Sequence, residues 1–189
     1  KVSVTGDTTG QTNEFGTQIN CGQSYSSYIF DGNQLYYTID LQAGQSYKVT
    51  LAPNFYAGMY IWGAGCYATA INAGCSSGGN TGAATWGVQS GTTRSVIFKA
   101  PTTSTYHIAV DSTSTSSSYY GSFKLDIETY VPPTNDTCSG ATQVTLGSGT
   151  TTVTGDTTGM LNQFGTAINC GNLNTVFRGS QAYYKFNIT

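Results

Sequence analysis

Apolar and polar residues alternate with a period of two along most of this chain. Tyr37, Ile39 and Leu41 interleave with Tyr36, Thr38 and Asp40; Tyr47, Val49 and Leu51 with Lys48 and Thr50. The same alternation sets Tyr106, Ile108 and Val110 against His107 and Ala109, and Phe123, Leu125 and Ile127 against Lys124, Asp126 and Glu128. Each run predicts a half-buried antiparallel strand. Further strands are expected at residues 2–5, 59–62 and 95–99. Between them stands turn chemistry, such as Asp31-Gly32-Asn33, Ala43-Gly44-Gln45, Ser90-Gly91-Thr92 and Pro101-Thr102. No capped apolar stretch has helical spacing, so no helix is expected. Short strands with frequent turns predict an all-β fold, an antiparallel two-sheet β-sandwich of jelly-roll or immunoglobulin-like type.

Residues 63–87 break the pattern. They are rich in Gly, Ala, Ser and Asn and hold Cys66 and Cys75. We read them as a long loop that either carries specificity or covers one end of the sandwich.

The order of these strands gains meaning from a repeat. Residues 4–22, VTGDTTGQTNEFGTQINCG, recur as residues 153–171, VTGDTTGMLNQFGTAINCG, with fifteen of nineteen positions identical and no gap. Both copies continue into a Tyr-Tyr strand, Leu35-Tyr36-Tyr37-Thr38-Ile39 in the first and Ala182-Tyr183-Tyr184-Lys185-Phe186 in the second, after a two-residue deletion. The second copy has a lead-in, residues 135–146, that the first lacks. The chain therefore reads as a tandem array: a nearly complete unit over residues 1–130 lacking its first strand, a Pro-rich linker at 131–135, and the opening part of a second unit at 136–189. The linker's Val131-Pro132-Pro133 run favours an extended, stiff spacer.

Composition changes the picture in one respect above all. Only 8% of residues are Asp, Glu, Lys or Arg, against roughly 25% in ordinary soluble domains. Ser, Thr, Asn, Gln, Gly and Tyr must cover the surface instead. With a formal net charge of −2 there is no basic face for nucleic acid. No apolar run approaches the roughly 18 residues of a spanning helix, so membrane insertion is not expected. There is no initiator Met or signal-peptide pattern, and an export segment is expected outside these residues.

The five cysteines become an even set through the repeat. Cys170 copies Cys21, and Cys138 lies in the lead-in, so a full unit carries the equivalents of Cys138, Cys170, Cys66 and Cys75. The expected pairs are Cys138 with Cys170 and Cys66 with Cys75, leaving Cys21 to a partner before Lys1. Two bridges per unit imply an oxidising compartment. Free buried thiols are the plainer alternative. The spacings are not those of a zinc site, and there is a single His.

A unit opening Asn135-Asp136-Thr137-Cys138, continuing as Val153-Thr154-Gly155-Asp156-Thr157-Thr158-Gly159 and Cys170, and reaching a Tyr-Tyr strand resembles the bacterial pre-peptidase C-terminal (PPC) domain. The run from Leu41-Gln42-Ala43-Gly44 to Leu51, the Ser104 to Asp111 strand and Gly121-Ser122-Phe123-Lys124-Leu125 are similar to later strands of that family. The resemblance implies a secreted, non-catalytic β-sandwich, found beside secreted hydrolases or repeated in large surface proteins. Asp31 becomes Arg178 in the second copy, which departs from any metal role shared by both units.

Catalytic residues are not expected. His107 points to the opposite strand face from Tyr106 and Ile108, no Gly-x-Ser-x-Gly elbow occurs, and the carboxylates are scattered. Asp7, Asn13 and Glu14 form an oxygen-rich loop and are the calcium candidates. The copy keeps Asp156 and Asn162 but replaces Glu14 with Gln163. A calcium ion wants six to eight oxygens with several carboxylates, so no obligatory cofactor is expected and Asp7 is read as a turn organiser. Contact work falls to tyrosines, with Tyr56, Tyr67, Tyr119 and Tyr120 the leading candidates and Tyr25, Tyr28, Tyr60 and Tyr130 behind them. Sequons at Asn135 and Asn187 would permit glycosylation.

Together these readings predict a secreted or cell-surface protein whose function is structural: a repeat of an extracellular fibre, filament or giant adhesin that self-associates. The alternative is a carbohydrate- or protein-binding accessory module of a secreted hydrolase, with surface glycans or proteins as partners.

Overall fold

Eight strands of the first unit arrange as two antiparallel four-stranded sheets in the computed structural model, which describes residues 1–21, 29–75, 83–157, 160 and 179–187. One sheet runs β1 (Val2–Asp7), β8 (Ser122–Tyr130), β3 (Ser46–Pro53), β6 (Arg94–Lys99). The other runs β2 (Leu35–Leu41), β7 (Ser104–Asp111), β4 (Ala57–Trp62), β5 (Ala83–Val88). The all-β sandwich expected from the alternation is what forms. Every strand predicted from periodicity is present, because each buries one row of side chains. In β8 the buried residues are Phe123, Leu125 and Ile127; in β3 they include Tyr47, Val49 and Leu51. These meet Met59, Ile61, Tyr106, Ile108 and Val110 of the facing sheet in the central core.

β4 is buried along its whole length. Met59 and Ile61 enter the central core, whereas Tyr60 and Trp62 enter a second cluster on the outer face of the same sheet. A strand covered on both faces reads as a continuous apolar run rather than an alternating one. The outer cover comes from two places. One is residues 15–21 of the repeated segment, which supply Phe15, Ile19 and Cys21. The other is a helix, α1 (Ala68–Cys75), which supplies Ile71 and Cys75.

That helix corrects the sequence expectation for residues 63–87, which contain α1 and the start of β5 instead of one long loop. Its eight residues are too few to be stable alone, and its fixed points are tertiary. Ile71 and Cys75, four apart, share the face turned to the sheet. Asn72 clamps the repeated segment: its Oδ1 accepts from the backbone N–H groups of Asn20 (2.8 Å) and Cys21 (3.0 Å), and its Nδ2 donates to the Gln18 carbonyl (2.8 Å). Gly74 allows the helix to sit on β4, since a Cβ there would lie 2.7 Å from the Cβ of Trp62.

The disulfide is Cys21–Cys75, with 5.0 Å between the Cα atoms. The expected Cys66–Cys75 pair is therefore wrong, as is a partner for Cys21 before Lys1. The reason is geometric. A helix rises 1.5 Å per residue, so α1 carries Cys75 about 10 Å away from the segment that holds Cys66, beyond the 4.4–6.8 Å that a bridge tolerates. The other expected pair involves Cys170 and lies outside the described residues.

The chain divides into two compact units, Lys1–Tyr130 and Val131–Thr189. In the second, a short β9 (Thr142–Gln143) runs parallel to β10 (Tyr184–Lys185). The Thr142 N–H donates to the Tyr183 carbonyl (3.0 Å), the Val144 N–H to that of Lys185 (2.8 Å), and the Tyr183 N–H to that of Asn135 (2.9 Å).

Two local arrangements occur in both units. A Cβ on Gly6 would collide with the Tyr37 hydroxyl, and one on Gly155 with the Tyr184 hydroxyl. The Tyr36 hydroxyl donates to Gln34 Oε1 at 2.8 Å, and the Tyr183 hydroxyl to Gln181 Oε1 at 2.7 Å. Both match the alignment that places Tyr36-Tyr37 over Tyr183-Tyr184.

Candidate functional site

The polar heart of the first unit lies where β2 and β7 begin and end. Asp111, the last residue of β7, is fully buried. Its Oδ1 accepts from the backbone N–H groups of Gly32 (3.1 Å) and Ser112 (2.6 Å), and its Oδ2 from Gln34 Nε2 (2.9 Å) and the Tyr60 hydroxyl (3.4 Å). Burial pushes this carboxyl up to about 8 against the pull of those four donors. Burial likewise raises the Tyr36 and Tyr60 phenols above their ordinary range. Every oxygen of this acid faces a donor from the fold itself, so the arrangement ties loop to strand and leaves no open position for a substrate.

The calcium candidates are each engaged locally. Asp7 Oδ1 accepts from the Thr9 N–H at 2.8 Å, the turn-organising role expected of it. Asn13 Nδ2 donates to the Asp31 carbonyl (3.0 Å) and Oδ1 (2.8 Å), while its own Oδ1 accepts from the Gly16 N–H (2.8 Å). Glu14 joins the network through its backbone, its N–H donating to Gln34 Oε1 at 3.0 Å. Among the described residues no group of three or more His, Cys, Asp or Glu side chains stands ready to hold a metal ion.

On the outer face of the β2 sheet an aromatic chain leads to the one histidine. Tyr36 meets Trp62 edge-on (6.3 Å between centroids), and Trp62 stacks on His107 (5.1 Å, 18°). His107 Nδ1 donates to the Gly63 carbonyl at 2.9 Å, and Nε2 lies 3.6 Å from Cys66 Sγ. Cys66 is exposed. The sequence placed His107 outward correctly but gave no sign of this thiol–imidazole contact, because forty-one residues separate the partners. No carboxylate is bonded to the imidazole among the described residues, so the orienting third member of a nucleophilic triad is missing there.

This aromatic row borders β2, which has β7 on one side and no strand on its other side among the described residues. Its Leu35, Tyr37 and Ile39 are only partly buried against the central core, as is Val4 of β1.

The tyrosines expected to make contacts divide. Tyr56 and Tyr119 come together edge-on (5.3 Å) at one end of the sandwich, and Tyr120 beside them is half-buried. Tyr67 is exposed at 62% near the start of α1. Tyr60 is fully buried, a correction: it lies mid-strand with both sheet faces covered. Tyr25 and Tyr28 lie outside the described residues. Next to the Tyr56–Tyr119 pair, Asn54, Thr92, Ser122 and Lys124 line a shallow open groove of about 340 Å³.

No helix among the described residues is long and apolar enough to cross a membrane. No family model matches the chain. No curated protein matches it either. Solved structures similar in outline include the following three. A periplasmic inhibitor of g-type lysozyme, PliG of Aeromonas hydrophila, aligns at 14% identity over 67% of this chain and 85% of its own, with a TM-score of 0.33. CorA, a surface-associated copper-binding protein of Methylomicrobium album BG8, aligns at 8% identity over 68% and 93%, with a TM-score of 0.38. The K3 cleaved adhesin domain of Lys-gingipain from Porphyromonas gingivalis w83 aligns at 14% identity over 66% and 90%, with a TM-score of 0.33. Likeness of this degree carries no argument about activity, and the sandwich stands on its own strand order.

Proposed function

We propose that the chain is a non-catalytic structural module of a secreted or cell-surface protein, a repeat of an extracellular fibre, filament or large adhesin of PPC-like type. The observation that carries this reading is the recurrence, in both units, of Gly6 under Tyr37 and Gly155 under Tyr184, together with the Gln34–Tyr36 and Gln181–Tyr183 bonds. Side chains that keep the same contacts at two places 147 to 149 residues apart support one fold used twice. A repeat that buries its polar groups in its own structure and leaves a surface almost free of charge suits lateral packing, since little charge repels charge. The Cys21–Cys75 bridge suits an oxidising compartment.

Electron microscopy and sedimentation of the protein from its native source test the proposal. Regular filaments or multimers are expected; a strictly monomeric species over a wide concentration range would overturn it.

A second reading, a glycan- or protein-binding accessory module, draws support from the Tyr56–Tyr119 pair beside the groove of Asn54, Thr92 and Ser122. Aromatic faces with nearby amides and hydroxyls are the chemistry of sugar stacking. Binding on a glycan array that disappears in Tyr56→Ala and Tyr119→Ala would favour this reading over the fibre.

A further inference from the structure

We propose that Cys66 and His107 form half of a tetrahedral zinc site, which a second copy of the chain completes with its own Cys66 and His107, so that one metal ion clasps two chains. Such a clasp supplies a lateral contact that the fibre reading leaves open, and it stands apart from that reading.

Both ligands are set by one short turn. His107 lies on β7 opposite Trp62, the last residue of β4, and stacks on its indole. The chain then turns through residues 63–66. Trp62 Nε1 donates to the Gly65 carbonyl at 2.7 Å, and His107 Nδ1 to that of Gly63 at 2.9 Å. Gly65 has a φ of +89°, and a Cβ there would lie 2.9 Å from that of Ala70, which favours glycine. Ring and turn are thereby fixed to each other, with Cys66 Sγ 3.6 Å from His107 Nε2.

That separation is the edge of a zinc tetrahedron. Bonds of about 2.3 Å to sulfur and about 2.0–2.1 Å to nitrogen, at the tetrahedral angle, set the two donors about 3.5–3.6 Å apart. In the metal-free chain the thiol and imidazole already occupy these positions as a hydrogen-bonded pair, so they need little movement to accept the ion. A bond from the second ring nitrogen to a backbone carbonyl is the support that metal-bound imidazoles carry, and it assigns coordination to Nε2. Thiolate sulfur with imidazole nitrogen selects zinc over calcium or magnesium, which take oxygen. The partners stand 41 residues apart, so the cysteine spacings gave no zinc pattern.

Two donors fill half of the four-coordinate sphere that structural zinc keeps closed. Among the described residues no third His, Cys, Asp or Glu joins them. Cys66 is exposed, as is the next residue, Tyr67, so the open half of the sphere faces solvent. A copy related by a two-fold axis through the metal brings an identical pair, and such a contact is self-complementary. Each Cys66 gives its thiol proton to solvent and each His107 binds as the neutral imidazole, so two thiolates balance the two charges of the ion. A neutral centre fits a surface with charged side chains at only 8% of positions. The two-fold contact closes on itself and ties chains side by side.

The test titrates zinc into the whole 189-residue chain, purified without air or reductant so that Cys21–Cys75 is kept, and follows heat and sedimentation together. One zinc per two chains is expected, with dimers that a chelator disperses. Cobalt in place of zinc should show the absorption of a tetrahedral ion and a sulfur-to-cobalt charge-transfer band. Cys66→Ser should weaken zinc-driven dimerisation by about a hundredfold or more, at or beyond what a lost outer-shell partner costs. His107→Asn, which keeps a side-chain N–H for the Gly63 carbonyl, should do the same with an unchanged far-ultraviolet circular dichroism spectrum; if it misfolds, Cys66→Ser decides alone. Zinc bound at one ion per chain without dimers, dimerisation unchanged in Cys66→Ser, or Cys66 held in a disulfide in protein from the native source would each overturn the clasp. Filaments of a protein that zinc does not dimerise would sink the clasp and leave the fibre reading intact; zinc-bridged dimers of a protein that forms no filaments would do the reverse.

Discussion

Cys66 and Cys75 stand nine residues apart and have different fates. Cys75 is buried on the helix and bonded to Cys21, closing a loop with a separation of 54 residues, which is worth about 4 kcal/mol on the chain-entropy account. Cys75→Ser is therefore expected to lower the free energy of unfolding by about 2–4 kcal/mol, whereas Cys66→Ser should change it by less than about 0.5 kcal/mol. Urea titration of the two variants separates the cases; equal losses would restore the Cys66–Cys75 pair. Asp111 makes a second prediction. Its folded pKa is raised to about 8 from an unfolded value near 3.9, so the folded state holds more protons than the unfolded state between those limits. Stability contributed by the neutral acid is present below pH ~4 and is lost as pH rises toward ~8. The urea midpoint should fall across that window and flatten above it. Asp111→Asn should remove the slope, and should cost about 1–3 kcal/mol at low pH because its amide meets donors that lose their acceptor.

Strands of this protein obey alternation wherever one face is wet, and the exceptions mark second-layer packing. β4 is apolar throughout because α1 and residues 15–21 cover the face that would otherwise be solvated. The close approach of β1 to β2 is an element-level constraint as well: Gly6 sits under Tyr37 and Phe123. Gly6→Ala is expected to destabilise the first unit by about 1–3 kcal/mol through overpacking, and Tyr37→Phe in the same background should restore part of it by removing the hydroxyl. Thermal unfolding of the single and double variants measures this coupling. Gly155→Ala makes the same collision with Tyr184 in the second unit, so its effect should register on signals from Tyr183 and Tyr184 and spare those of the first unit. Non-additivity absent from the Gly6–Tyr37 cycle would count against the contact.

For the molecule as a whole, the sparse charge sets the expectation for the assembly proposed above. With Asp, Glu, Lys and Arg at 8%, self-association should be nearly independent of ionic strength. Raising salt from 0.05 to 0.5 M shortens the Debye length by roughly threefold, yet the association constant is expected to move by less than about threefold. Analytical ultracentrifugation at the two salt concentrations tests this. A steep salt dependence would assign the interface to the few charges instead, among them the Lys1 and Lys124 contacts to Asp126.

The alternation of Tyr47, Val49 and Leu51 or of Phe123, Leu125 and Ile127 is a local property, and local spacing suffices to place a strand and choose its buried face. The repeat, the scarcity of charge and the Tyr-Tyr correspondence are equally written along the chain. α1 was not legible, since its eight residues draw their stability from packing on Trp62, from the bond to Cys21 and from the Asn72 clamp on residues 18–21, some fifty residues away along the chain. The cysteine partners followed the same rule: parity was countable from the chain, but which two sulfurs meet depended on a helix that carries one of them away from its near neighbour. The Cys66–His107 contact belongs to this second kind, because it arises from the order in which strands lie side by side, and that order is set by long-range packing.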